Sequence, residues 1–296
     1  MKYVPKEINN NINVTPHHPL SNFAYLLGSV VIISILIFVI LGFIADWLST
    51  QISPETESKI GQTFLPGILE QNAEVVEDKR IQYLDKLLTS LPKSGEEIRL
   101  PLTVHLFQND KVNAAIMPGG HILIHTALLE TVKSENELAL VLAHELGHFQ
   151  AYDPIKSLGR SLIMIVSFMA LGFGTSDITS GPNVIAMTGE LAYLNYSRAQ
   201  EKNADIYALY RVVNHYGHGG HSLDFFKLLD EQDKEEGMGG RKWMKVSQYF
   251  STHPLSENRI EMLTQVANKN GWDMGGEATP LPKWLHCPNM EPCESQ

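Results

Sequence analysis

Between Ile8 and Ala45 the chain carries no Asp, Glu, Lys or Arg, and from Phe23 to Ala45 it is almost wholly apolar. Such a stretch has few ways to fold. In hydrocarbon every backbone N–H and C=O must be paired within the protein, and a lone segment achieves that only as a helix. At about 1.5 Å per residue it is long enough to cross the roughly 30 Å apolar layer of a bilayer. It is too long for the apolar core of a secretory signal, and no small-x-small cleavage site follows. The stretch reads as an uncleaved signal anchor, with a buried core helix as the alternative. Lys2, Lys6 and the α-amino group precede it, whereas Lys59 is the only Lys or Arg from 46 to 65. Excess positive charge favours the cytoplasmic side, so the amino terminus is expected inside and the bulk of the chain outside.

The second constraint is Leu140 to Phe149, which reads Leu-Val-Leu-Ala-His-Glu-Leu-Gly-His-Phe. Residues four apart on an α-helix share a face, so His144 and His148 can hold one Zn²⁺, with Glu145 beside them as candidate general base. Ser134 with Glu137 makes a capping box before this helix, and Asp153-Pro154 ends it. Gly147, costly inside a helix by about 1 kcal/mol against Ala, is expected to admit a close neighbour such as another backbone. A third ligand must come from elsewhere. In Tyr196-Ser-Arg-Ala-Gln-Glu-Lys-Asn-Ala-Asp205, on a helix expected from about Asn183, Glu201 and Asp205 share a face. Glu201 completes a His₂Glu set that leaves a position for water. Asp205 can accept the second ring N–H of a ligating histidine. Glu190 is the rival, but it has no carboxylate four residues later.

Between anchor and helix, the segment from Ser53-Pro54 reads as a polar tether, and residues 73–91 as a helix ending at Pro92. Residues 98–107, Lys111–Met117 and His121–His125 read as strands of a small antiparallel meander, with Pro118-Gly119-Gly120 as a turn. An exposed strand edge would then lie near the metal and could bind an extended peptide. His105, His121 and His125 read as ordinary strand histidines, His17 and His18 as solvated, and His215, His218 and His221 as a weak metal loop among glycines. Ser161–Gly174 is a second apolar run, short for a span and suited to a buried or interfacial helix. A polar helix (222–236), a Gly-rich loop (237–240) and an amphipathic helix with Ile260, Leu263 and Val266 follow. His253, held extended by Pro254, can point into a cleft or cap that last helix. The expected division is a flexible tail 1–22, anchor 23–45, tether 46–72, folded domain 73–270 and tail 271–296. A net charge of −10, with no basic run longer than Lys-Arg, argues against nucleic acid. Cys287 and Cys293, bridged or free, sit in the tail and build no metal framework.

Asn113-Ala-Ala-Ile-Met-Pro-Gly-Gly120, His144-Glu-Leu-Gly-His148, Glu201-Lys-Asn-Ala-Asp205 and Thr252-His-Pro254 with Arg259, in this order, resemble the HtpX-like and BepA-like membrane-associated zinc endopeptidases. That gluzincin family also includes the CAAX prenyl proteases. The resemblance covers roughly residues 75–268. It implies an α+β fold, a mainly helical zincin domain with a small antiparallel sheet behind one transmembrane helix. It implies that His144, His148 and Glu201 ligate one zinc ion, that Glu145 activates the water and that His253 assists the oxyanion. It also implies that Asn113 and Ala114 lie beside the substrate, with Arg259 near it. The implied partners are a polypeptide substrate, from unfolded, membrane or envelope protein, and bilayer lipid around residues 23–45. The implied setting is a bacterial inner membrane with the protease domain in the periplasm, serving protein quality control. Two departures stand out: HtpX itself is polytopic, and the helical-repeat tail of BepA-like members has no counterpart here. A membrane-tethered chaperone or binding module with structural zinc is the alternative, and a zinc hydrolase of another amide or ester a third.

Overall fold

The computed structural model describes residues 19–76, 79–91, 97–168, 196–235, 253 and 258–286. Expectations for the first eighteen residues, Glu190, the Gly-rich loop 237–240 and both cysteines lie outside these. The chain divides into two compact units, Met1–Ile44 and Ala45–Gln296. The first holds most of helix α1 (Pro19–Ser49). Its large apolar side chains, from Phe23 to Leu48, are exposed, as hydrocarbon-facing residues are and core residues are not. Among the described residues it is the one helix long and apolar enough to cross a membrane.

The second unit is built on a four-stranded sheet: β1 (Glu74–Val75), β2 (Thr103–Phe107), β3 (Ala114–Met117) and β4 (His121–His125). Their order is β1-β2-β4-β3. β3 and β4 form the expected antiparallel hairpin, but β4 lies parallel to β2, so the sheet is mixed rather than an antiparallel meander. Side-chain burial explains the rearrangement. Ile122 and Ile124 pack on one face into the main core, and Leu123 packs on the other with Phe107, Met117 and Ile68. A strand buried on both faces belongs in the interior of a sheet. That leaves β3 at the edge.

The segment read as a tether is helix α2 (Pro54–Gln71), with Ser53 at its N-cap and Pro54 in its first turn. Phe64, Leu65, Ile68 and Leu69 cover the outer face of the sheet. Gly61 is required there, because a Cβ would overlap the Pro118 carbonyl oxygen in the turn between β3 and β4. Gly61→Val should therefore lower unfolding stability by about 1–3 kcal/mol, the usual range for overpacking. Denaturant melts of the full chain in detergent would show it, and an unchanged midpoint would mean that α2 is loosely held. Glu57 of α2, almost fully buried, forms an ion pair with Arg99. The Arg99 guanidinium stacks 3.8 Å from the Phe149 ring centroid and donates through Nε to the Phe149 carbonyl at 3.2 Å. Burial lowers the Arg99 pKa to about 10, still well above neutrality.

On the inner face, α5 (Glu135–Gln150) is buried almost throughout. Ser134 caps it by accepting from the Glu137 N–H at 3.3 Å. Glu137 turns back to accept from the Ser134 hydroxyl at 3.0 Å and from Lys133 N–H at 3.3 Å, where a standard box would use the backbone N–H of the cap residue. The other helices are α3 (Lys79–Ser90), α4 (Thr126–Thr131), α6 (Asp153–Phe168), α7 (Arg198–Tyr216), α8 (Asp224–Glu235) and α9 (Arg259–Asn270). α6 takes in the start of the second apolar run, leaving Leu162, Met164 and Val166 exposed. Residues 271–286, read as a tail, fold back onto the domain instead. The Thr279 carbonyl accepts from Glu135 N–H at 2.9 Å, Leu285 is fully buried, and Trp284 meets Tyr83 edge-on.

Candidate metal centre

α5 places His144, Glu145 and His148 in the core with no exposed surface. α7 lies against it because Gly147 has no side chain: a Cβ there would stand 3.0 Å from the Ala204 Cα. This is the close neighbour that the glycine foretold, and it brings Glu201 and Asp205 to the histidines. α7 starts at Arg198 behind a complete capping box of Ser197 and Gln200, and residues 183–195, expected to be helical, lie outside the described residues. That cap fixes the turn carrying Glu201.

His144 Nε2 and His148 Nε2 are 3.1 Å apart. Glu201 Oε2 is 3.4 Å from His144 Nε2, and Oε1 is 3.3 Å from His148 Nε2. His253 joins them, its Nδ1 3.2 Å from His144 Nε2 and 3.1 Å from Glu201 Oε1. The four buried residues offer ligand atoms all within 4.8 Å of one another. The outer ring nitrogens are engaged elsewhere. His144 Nδ1–H donates to Asp205 Oδ1 at 2.9 Å, and His148 Nδ1–H to Asp153 Oδ2 at 2.9 Å. Each Nε2 therefore turns toward the others with its lone pair, and at this spacing a proton or a cation must lie between them. The donor set fits a divalent ion: atoms about 2.0–2.1 Å from a tetrahedral centre stand roughly 3.3 Å apart.

The electrostatics agree. Burial alone would lower the His144 pKa, but Asp205 and Glu201 overcome it and raise it to about 9. The cavity thus attracts positive charge. Burial also works against ionised Glu201 and Asp205, yet His253 and the other imidazoles hold Glu201 far below the usual carboxylate range, and Arg259 with His144 lowers Asp205. Glu145 goes the other way. Burial raises its pKa, against the pull of His253 and His144, and the Ile116 N–H faces it without closing a full hydrogen bond. Its Oε1 lies 3.3 Å from His253 Nε2.

Several sequence expectations change here. The fourth position is not open: His253 Nδ1 stands among the ligand atoms, and only its Nε2 faces Glu145. Arg259 is not at a substrate surface. Its side chain is buried, donates through Nε to Asp205 Oδ2 at 2.6 Å and stacks 4.0 Å over Phe226, so it fixes the carboxylate that fixes His144. Asn113 and Ala114 are buried and outside the ligand set. The Asn113 carbonyl is turned inward to His125 N–H at 3.0 Å. Ile116 is the β3 residue whose backbone meets the site, its carbonyl accepting from Tyr196 Oη at 3.4 Å.

Two residues escaped sequence reasoning. Asp153, read as a helix stop, orients His148. Tyr196, read as part of the helix that carries Glu201, lies just before it and stacks on the His148 ring at 3.9 Å between centroids. An aspartate just beyond a helix that ends in a ligating histidine was the available signal for the first; nothing local marked the second. Asp153→Asn should weaken metal affinity about 10–100-fold, the common effect of losing such a partner. Competition with a chromophoric chelator measures it, and unchanged affinity would make Asp153 merely a helix cap.

Residues 78–267 match the family described as peptidase family M48. The beta-barrel assembly-enhancing protease of Yersinia pestis is 26% identical over 205 residues, covering 64% of this chain and 39% of that protein. Its Escherichia coli namesake is 24% identical over 200 residues, with 64% and 39% covered. Mitochondrial metalloendopeptidase OMA1 of Saccharomyces cerevisiae is 28% identical over 153 residues, covering 52% of this chain and 43% of that one. The chain thus spans about two fifths of the length of these relatives.

Proposed function

Because the chain belongs to peptidase family M48, we propose that it is a membrane-anchored zinc endopeptidase acting in quality control of membrane or envelope proteins. The observation that carries this reading is Glu145. It is a buried carboxylate outside the convergent His/Glu set, beside an edge strand. A purely structural metal site has no use for such a group, whose burial is costly.

In this reading His144, His148 and Glu201 would hold the ion, with Asp205 and Asp153 fixing the two imidazoles. When bound, the ion supplies a Lewis acid for the scissile carbonyl and the attacking water. Glu145, its pKa raised toward that of a working base, takes a proton from the water and passes it to the leaving amine. An extended substrate would add to the outer edge of β3, which no strand covers among the described residues, meeting the backbone of Ala114 and Ile116 once Tyr196 yields the Ile116 carbonyl, with Asn113 at the start of that edge. His253 would have to turn out of the ligand set before the water enters, and its N–H could then stabilise the oxyanion. His253→Phe should on this account lower kcat about 10²-fold, the scale for one lost oxyanion donor. A rate that stays level or rises would make the ring a closing ligand alone. The charge bias of Lys2 and Lys6 supports an inner-membrane anchor with the enzyme domain in the periplasm.

The decisive assay incubates the full chain in detergent with an unfolded polypeptide, with and without chelator. Cleavage that chelator stops and zinc restores is expected. The closed set of four buried groups is what favours the second reading, a tethered binding module with structural zinc. Binding of the polypeptide without cleavage at any metal level would select it.

A further inference from the structure

The strand histidines, unremarkable in sequence, meet in three dimensions. β2 and β4 run parallel with Thr103 opposite His121 and His105 opposite Leu123. Since side chains alternate along a strand, His105 and His121 lie diagonally on one face, the face that α2 covers. Glu74 of β1 pairs with Phe107 and shares that face. Glu74 Oε1 accepts from His105 Nδ1–H at 2.7 Å, and His105 Nε2 stands 3.1 Å from His121 Nδ1.

We propose that His105 and His121 form a second metal site, for a late first-row divalent cation such as Zn²⁺. It is separate from the catalytic centre and does not rest on the peptidase reading. Glu74 fixes the His105 proton on Nδ1, which leaves Nε2 as a lone pair. This is the carboxylate-to-imidazole arrangement that orients metal-binding histidines and that Asp153 gives His148. The two inward nitrogens are spaced as His144 Nε2 and His148 Nε2 are, at 3.1 Å. Either a proton or a cation must lie between them. An imidazole pair selects zinc, nickel or copper over the oxygen-seeking magnesium and calcium. His121 and Glu74 are only half-buried, so water can complete the coordination and the ion can enter without unfolding. With two protein ligands the site is weaker than the first. Its occupant would clamp β2 to β4 beside the turn against which Gly61 packs.

The test is equilibrium dialysis of the full chain in detergent against Zn²⁺. The wild type should take up two ions per chain, and His105→Gln and His121→Gln one each. Glu74→Gln should weaken the second ion about 10–100-fold. One ion in the wild type, or two in His121→Gln, would overturn the proposal. Should either variant fail to fold, the wild type decides. Excess Zn²⁺ should protect His121 from carbethoxylation by diethyl pyrocarbonate, read by peptide mass spectrometry, and an unprotected His121 overturns it equally.

Discussion

Glu145→Gln should lose about 10²–10⁴-fold in turnover, the range expected for a general base, while keeping its metal. The two effects separate because Glu145 stands beside the ligand set and not in it. Its charge is a burden to the fold. Burial raises its pKa, so the ionised form is destabilised in the native state relative to the unfolded chain. A neutral amide of the same shape removes that burden, and the thermal midpoint should hold or rise. The measurements are kcat/KM on an unfolded polypeptide, metal content by atomic emission, and a melting curve. Wild-type cleavage by this variant would remove Glu145 as the base and, with it, the observation on which the peptidase reading rests.

Glu201→Ala should release the ion and abolish activity. The three imidazoles that remain, His144, His148 and His253, are a ligand number that zinc accepts in other proteins, so the outcome turns on charge. Glu201 is the one anion among the ligand atoms. With it gone, the Arg259 guanidinium, whose terminal nitrogen lies 3.7 Å from Glu201 Oε2, faces the imidazoles with one fewer carboxylate beside it. A divalent ion in a fully buried cavity next to that cation is disfavoured. The loss should reach the fold too, because breaking a buried charged cluster by removing one partner costs about 3–5 kcal/mol. Metal content and the unfolding midpoint should fall together. A variant that retains one tightly held ion and its activity would show that the third ligand is not Glu201.

The features legible in sequence were those carried by residues within one or two turns of one another. The spacing of His144 and His148 sets both rings on one helical face in any context. The spacing of Glu201 and Asp205 does the same, and Gly147 announced the close approach that joins the two helices. Charge-free residues 23–45 left a helix as their only outcome. The misread features depended on distant partners. Asp153 carries the same helix-stop signal whether or not its carboxylate reaches His148. Arg259, at the start of a helix, reads as a residue near the substrate until Asp205 is brought beside it. The amphipathic pattern of α2 was overlooked because Gly61 and Pro66 weaken it as an isolated helix; the sheet face and the buried Glu57–Arg99 pair supply what propensity lacks.

Sequence by itself thus determined the long apolar helix, the two helices that carry His144, His148 and Glu201, and the identity of the residues facing each other across them. Tertiary structure decided the parallel placement of β4 beside β2, the seat of α2, the entry of His253 into the ligand set and the meeting of His105 with His121. The reason is one of range. A helix repeats every 3.6 residues, so its face is written in local spacing. Which strand lies beside which follows from burying both faces of β4 at once, a condition on the whole chain that no short stretch contains.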